Sequence, residues 1–321
     1  MFPLQALIKR KKEMKELVLS IAGALLLTAC ADQQSREPQL DTAAIGFATS
    51  VTRSATGPVS GFAAGDSFDV WAQMVMTDAG GSPLTDTPVT VFSEEPVTTA
   101  DGTVWSYVNT KYWEVADYAF AAIFPAEVDG ASVAFDTSGN PVFSIANYNA
   151  TANYDLMTAS QTVSYRGTAS PVQFQFEHLL SLVSIAGRAE NGNVTINSIT
   201  LTGVSESGSY DSASGWSGLA AGNGFTASNI QLNGTTADVI GNKLMIPQPV
   251  GGMEVSVNYK PDGASASLSA TYELPVTEFV SSWEPGRSYR YTFVVYGNRI
   301  IFDKPTVTAW DDATGGIIVV E

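Results

Sequence analysis

The sequence predicts an all-β protein built as two β-sandwiches in tandem, and three observations carry that prediction. Short apolar or alternating runs recur at roughly 8–12-residue intervals, each bounded by Gly, Pro, Asn or Asp, which is the spacing of sandwich strands. No stretch after the N-terminal apolar run keeps a helical period long enough for a packed helix. Gly, Ser, Thr and Ala abound past position 40 while Lys, Glu and Leu are sparse, a usage that suits pleated, half-exposed surfaces. With 45% hydrophobic and 10% aromatic residues, the 321-residue chain has enough apolar surface for two cores.

The elements follow in order. Residues 30–44 are polar, contain Pro38 and read as a tether. Residues 45–51 are the first strand. After a turn at Gly65 and Asp66, the residues Phe68, Val70 and Ala72 alternate with Asp69, Trp71 and Gln73, one face inward and one outward. Asp101 and Gly102 mark a hairpin turn, and a strand with Trp105 and Tyr107 follows it. Residues 118–124 are apolar on both faces, as in a central strand, and Pro125 ends the run. The stretch holding Asp136, Gly139, Asn140, Asn147 and Asn149 reads as loop with short strands.

Val172, Phe174 and Phe176 alternate with Gln173, Gln175 and Glu177, and from Leu179 to Ile185 both phases turn apolar. The pattern is that of a single strand that starts half exposed and ends buried. A break at 167–171 divides the chain into an N-terminal sandwich over 45–170 and a C-terminal sandwich over 171–321. Strands follow at 194–196 and 199–201. Residues 205–224, rich in Ser and Gly, read as a long loop holding Trp216. Further strands lie at 244–247, 255–259 and 268–272, the last two around a turn at Asp262 and Gly263. Tyr289, Tyr291, Phe293 and Val295 alternate, Gly297 and Asn298 turn, and residues 300–302 return. Residues 307–310 and, behind Gly315 and Gly316, residues 317–320 complete the set.

The start of the chain carries an address. Lys9, Arg10, Lys11, Lys12 and Lys15 precede an apolar run over 17–28 that is too short to span a bilayer, and small residues end it. This is a secretory signal, 1–29, whether translation starts at Met1 or Met14. Residues 27–30, Leu-Thr-Ala-Cys, resemble the bacterial lipobox, which implies cleavage before Cys30 and acylation of the new N-terminal cysteine. Cys30 is the sole cysteine, so the exported fold has no disulfide. Loss of the signal removes five basic and two acidic residues and leaves a formal charge of −19. That charge argues against nucleic acid as a partner and against Coulomb attraction to an anionic membrane. Outer-membrane lipid would be held through the acyl chains on Cys30 instead.

Several separated landmarks together resemble the fimbrillin family, the surface pilins and pilus accessory proteins of Bacteroidia. They are Thr52 and Arg53; the Gly65, Asp66 turn with the strand over 67–70; Tyr118 and Phe120 with Phe124 and Pro125; residues 176–179, Phe-Glu-His-Leu; residues 283–291, from Trp283 to Tyr291; and residues 307–310, Val-Thr-Ala-Trp. The resemblance implies two β-sandwich domains of transthyretin-like topology, export as a lipoprotein to the cell outer membrane, and a cut after an Arg near the end of the first strand. Arg53 is the matching position. The cut would open a groove that a strand of a neighbouring fimbrial subunit fills, and Ile317, Ile318, Val319 and Val320 are the strand-exchange candidate. Eleven residues follow Trp310, room for one short strand rather than a long donor arm. That points to a minor, tip or anchor component.

The alternative is a monomeric surface adhesin or glycan-binding lipoprotein on the same fold, with host or bacterial surface ligands. Trp216, in its Ser/Gly loop, is the candidate ligand-stacking residue, while Trp71, Trp105, Trp113 and Trp283 read as core. No enzyme is expected and no catalytic residue is assigned. His178 is the sole histidine and sits on an alternating strand, where it packs beside the core. No His/Cys cluster holds a metal, no cofactor is expected, and Asp311 and Asp312 read as solvated acids.

Overall fold

The computed structural model describes residues 43–51, 61–152, 154–276 and 280–309. They form strands and no α-helix. In the first half lie β1 (Phe47–Val51), β2 (Ser67–Met76), β3 (Val89–Thr99), β4 (Trp105–Ser106), β5 (Ala116–Phe124), β6 (Ala131–Phe135), β7 (Pro141–Asn149), β8 (Met157–Tyr165) and β9 (Val172–His178). In the second lie β10 (Ser181–Ala189), β11 (Val194–Thr202), β12 (Ser205–Asp211), β13 (Gly215–Ala221), β14 (Phe225–Leu232) and β15 (Ala237–Met245). They are followed by β16 (Glu254–Pro261), β17 (Leu268–Glu273), β18 (Arg287–Tyr296), β19 (Arg299–Phe302) and β20 (Thr306–Ala309).

A seven-stranded sheet runs in the order β1-β9-β8-β5-β2-β3-β4. Its inward residues, among them Phe68, Val70, Phe92, Phe120, Phe174 and Phe176, meet in one core. The sheet rolls so that its two ends approach, with Trp105 of β4 reaching Thr49 of β1. β5 lies at the centre of the sheet, and Ala116 to Phe124 are buried on both faces except at Asp117. The doubly apolar run at 118–124 is the reason: neither face can be left to water. Gly65 takes φ +93 at the turn before β2, and Asp66 Oδ2 accepts from Ala63 N at 2.7 Å.

The second sandwich packs the sheet β15-β10-β18-β19, with β20 also on β18, against β14-β11-β16-β17. Ile185, Ile196, Val257, Tyr259, Trp283 and Tyr291 lie between them. A fourth sheet, β13-β12-β7-β6, joins a hairpin from each half through antiparallel pairing of β7 with β12. It covers Trp71, Ala121 and Ile123 on the outer face of β2 and β5 and forms a third core with Leu182, Leu244 and Ile246.

Several readings of the sequence change: the strands at 194–196 and 199–201 are one, β11, and the stretch read as loop with short strands holds the nine-residue β7. Residues 205–224 hold a hairpin, β12 and β13, rather than a long loop. Ser and Gly are weak strand formers, but Tyr210, Trp216 and Leu219 pack on the third core and β7 supplies a template edge. The run from Val172 to Ile185 is two strands, not one. Leu179 N donates to Leu156 O at 2.9 Å, and β10 then opens a different sheet and runs parallel to β18.

Candidate functional site

The residues of β1 are alternately apolar and small, and the structure seats them in a slot at the edge of the first sheet. β1 pairs in parallel with β9, Phe47 opposite Val172 and Val51 opposite Phe176. On the other edge the strand meets side chains. Trp105 Nε1 donates to Thr49 Oγ1 at 3.0 Å, and Tyr107 OH donates to Ile45 O at 2.8 Å. Just upstream, Ile45 N donates to Lys111 O at 2.8 Å and Trp113 N donates to Ala43 O at 3.0 Å.

Ile45 and Phe47 are both buried. The Phe47 ring stacks on Phe174 at 5.7 Å and meets Phe68, Phe92, Tyr107 and Phe120 edge-on, at centroid distances of 5.6 to 6.3 Å. Burial of side chains of this kind stabilises by about 1.5–3 kcal/mol each. Loss of β1 would uncover an aromatic strip and leave the parallel edge of β9 unpaired. Burial raises the Tyr107 hydroxyl above its ordinary value, so it stays a neutral donor to the Ile45 carbonyl.

The turn beside the slot is held by a carboxylate. Asp101 Oδ1 accepts from Val104 N and Thr103 N at 2.8 Å and from the Thr103 hydroxyl at 2.9 Å. These bonds, Val104 N first, bring its pKa from 3.8 to about 2. Gly102 takes φ +82, and a Cβ there would run into the backbone carbonyl of Phe62. The Asp-Gly hairpin signal therefore fixes where β4, and with it Trp105, faces β1.

Of the residues singled out in the sequence, Cys30, Arg53, Ile317, Ile318, Val319 and Val320 lie outside the described residues. In sequence, Arg53 falls just past Val51, the last residue of β1. Trp216 is half-buried. Its Nε1 donates to Leu179 O at 3.0 Å and its ring lies 5.6 Å from Tyr148 and 5.5 Å from Tyr210. The Trp71, Trp105, Trp113 and Trp283 rings are all buried. His178 Nδ1 lies 2.8 Å from Asp155 Oδ2, and both side chains are shut from solvent. Desolvation by burial raises the Asp155 carboxyl, while His178 opposes it.

Trp105, Tyr107 and the 111–113 backbone were not read from the sequence as parts of the slot. Trp105, in β4, and Tyr107, just past its end, do sit two apart in the sequence, and that alternation was the available signal. What it could not supply was the partner, since Thr49 and Ile45 lie 56 and 62 positions away along the chain.

A family model described as fimbrillin-like matches residues 52–310. Among curated proteins, none matches the chain. Among solved structures, a candidate cell adhesion protein of Bacteroides ovatus is similar at 15% identity, with a TM-score of 0.52, over 84% of this chain and 98% of that one. Another candidate cell adhesion protein, from Bacteroides uniformis, is similar at 15% identity with a TM-score of 0.51, over 83% of this chain and 99% of that one. At such identity the likeness shows the fold.

Proposed function

Because the chain belongs to the fimbrillin-like family, we propose that it acts as a surface fimbrial subunit in which β1 is a removable strand. The observation that carries this reading is the slot: among the described residues β1 pairs its backbone with β9 and meets the Trp105 side chain on its other edge, where only the segment just upstream, at 43–45, bonds the backbone of 111–113. A cut after Arg53 would separate β1 from the rest of the chain. The emptied slot then offers an unpaired sheet edge above an apolar strip, the state that accepts a strand from another chain. Ile317, Ile318, Val319 and Val320 of a neighbouring subunit are the donor in this reading, all β-branched and suited to burial on both faces.

Acylated Cys30 would hold the uncut chain at the outer membrane, and the same cut would free the body from its lipid. The two sandwiches, the first of which includes β9, would travel as one body because the third core draws on both. The protein works by binding and assembly rather than by catalysis. The buried state of His178 and Asp155 supports this, since neither is open to a substrate.

Mass spectrometry of the native protein tests the reading. The expected result is an acylated Cys30 in the membrane-bound precursor and a chain beginning at Ser54 in assembled fibres. Fibres whose subunits still begin at Cys30 would overturn it.

A surface adhesin is the second reading. The observation that favours it is the half-buried Trp216 ring beside the half-buried Tyr210 ring, whose outer edges are what a ligand ring could meet, while Tyr148 beneath them is buried.

A further inference from the structure

Two adjoining clefts, of about 200 and 240 Å³, open beneath the turn that joins β6 to β7. They lie on the face of the first sheet opposite the β1 slot, and they share Ala119, Asn140 and Thr162. Pairing puts Gln73, Ala119 and Thr162 in one row across β2, β5 and β8. The row thus reads amide, methyl, hydroxyl. Its outer members stand roughly 9–10 Å apart, two strand spacings.

Asn140 overhangs this row from the turn. Gly139, at φ +83, makes the turn at the mouth, where a Cβ would sit in ordinary contact, 3.4 Å from Gln73 Nε2. β2 and β5 are paired on both edges, so their backbone has no free edge to offer a peptide strand. Recognition must come from side chains. The one carboxylate in the lining, Asp117, is held by Arg166 at 2.8 Å. The Asp136 carboxylate beside the cleft is taken up by its own turn, accepting from Ser138 N and Asn140 N at 2.8 Å and from Asn140 Nδ2 at 3.1 Å, so neither acid offers a free charge to a ligand.

The ligand chemistry follows from these features. Amides offer a donor and an acceptor side by side, as vicinal hydroxyls do. A methyl floor between them seats the apolar C–H face of a ring. We infer that this cleft binds a neutral saccharide of one or two units, with Gln73 and Thr162 bonding its hydroxyls across Ala119 and Asn140 closing over it. The inference does not rest on the strand-slot reading. A chain that binds sugar without polymerising would keep one and lose the other.

The test is calorimetric titration of the purified chain with millimolar cellobiose, lactose, mannobiose and chitobiose, with sialyllactose as the anionic counterpart. At least one neutral disaccharide should bind. Gln73→Ala and Thr162→Trp, both made at strand positions facing the cleft, should each weaken that binding by about tenfold or more, the loss of one good polar contact or of the space. Gln73→Ala removes an amide without adding bulk, so it reads the site even if the Trp variant folds poorly. Sialyllactose should bind no tighter than lactose. Failure of all four neutral sugars, binding untouched by Gln73→Ala, or preference for the sialylated sugar would overturn the inference.

Discussion

Phe47 is the side chain on which the slot turns. It is the β1 residue that touches five other aromatic rings, and it comes from the strand proposed to leave. Phe47→Ala should destabilise the uncut chain by about 3–5 kcal/mol, the range for truncating a buried aromatic side chain, read as a drop in the denaturation midpoint. A loss below about 1 kcal/mol would mean that the strip closes over without β1. Asp101 makes a second residue-scale prediction. Its folded pKa lies below its ordinary value, so the stability it contributes is present above 3.8 and lost as pH falls through about 2. Asp101→Asn should lower the thermal midpoint at neutral pH and converge with the parent chain near pH 2, so that the midpoint's dependence on pH flattens across that window. At this scale the sequence was legible where a residue's role is set by its neighbours in the chain. The Asp101, Gly102 turn and the Gly65, Asp66 turn are of that kind, and both form. The Asp155 partner of His178 was not legible, because 23 residues separate the two and nothing local marks the pair.

Among the elements, β12 and β13 teach the most. Local propensity argued for a loop, and tertiary context made a hairpin. Gly208 records the reason. A Cβ there would come 2.8 Å from Leu219 Cδ2 and 3.2 Å from Ser217 O, so the glycine lets the two strands lie close. Gly208→Val should cost about 1–3 kcal/mol through overpacking. Hydrogen exchange should show β13 opening before the rest of its sheet, and unchanged protection of β13 would contradict the packing argument. The central strand β5 was legible from its doubly apolar run, and β18 from its alternation, because strand period alone specifies those faces. The split between β9 and β10 was not legible. Both strands are apolar near the junction, and the bond from Leu179 N to Leu156 O that turns the chain is set by the tertiary fold.

At the scale of the whole molecule, three cores hold the described chain together, and the third draws on both halves. The all-β class and the sandwich cores were readable from strand spacing and composition. The third core was not, since it forms only when β7 finds β12 and covers Trp71 on the back of β2. This arrangement bears on assembly. The N-terminal sheet stays braced by the second half when β1 leaves, so the body should survive the loss of that one strand while its slot stands open. The measurement that reaches this most directly is sizing of the chain after a trypsin-like cut at Arg53, with and without residues 313–321. The account predicts that the uncut chain is monomeric, that the cut chain releases β1 and forms higher oligomers, and that removing the tail abolishes them. A cut chain that stays monomeric in every condition, or oligomers that form equally well without the tail, would contradict it.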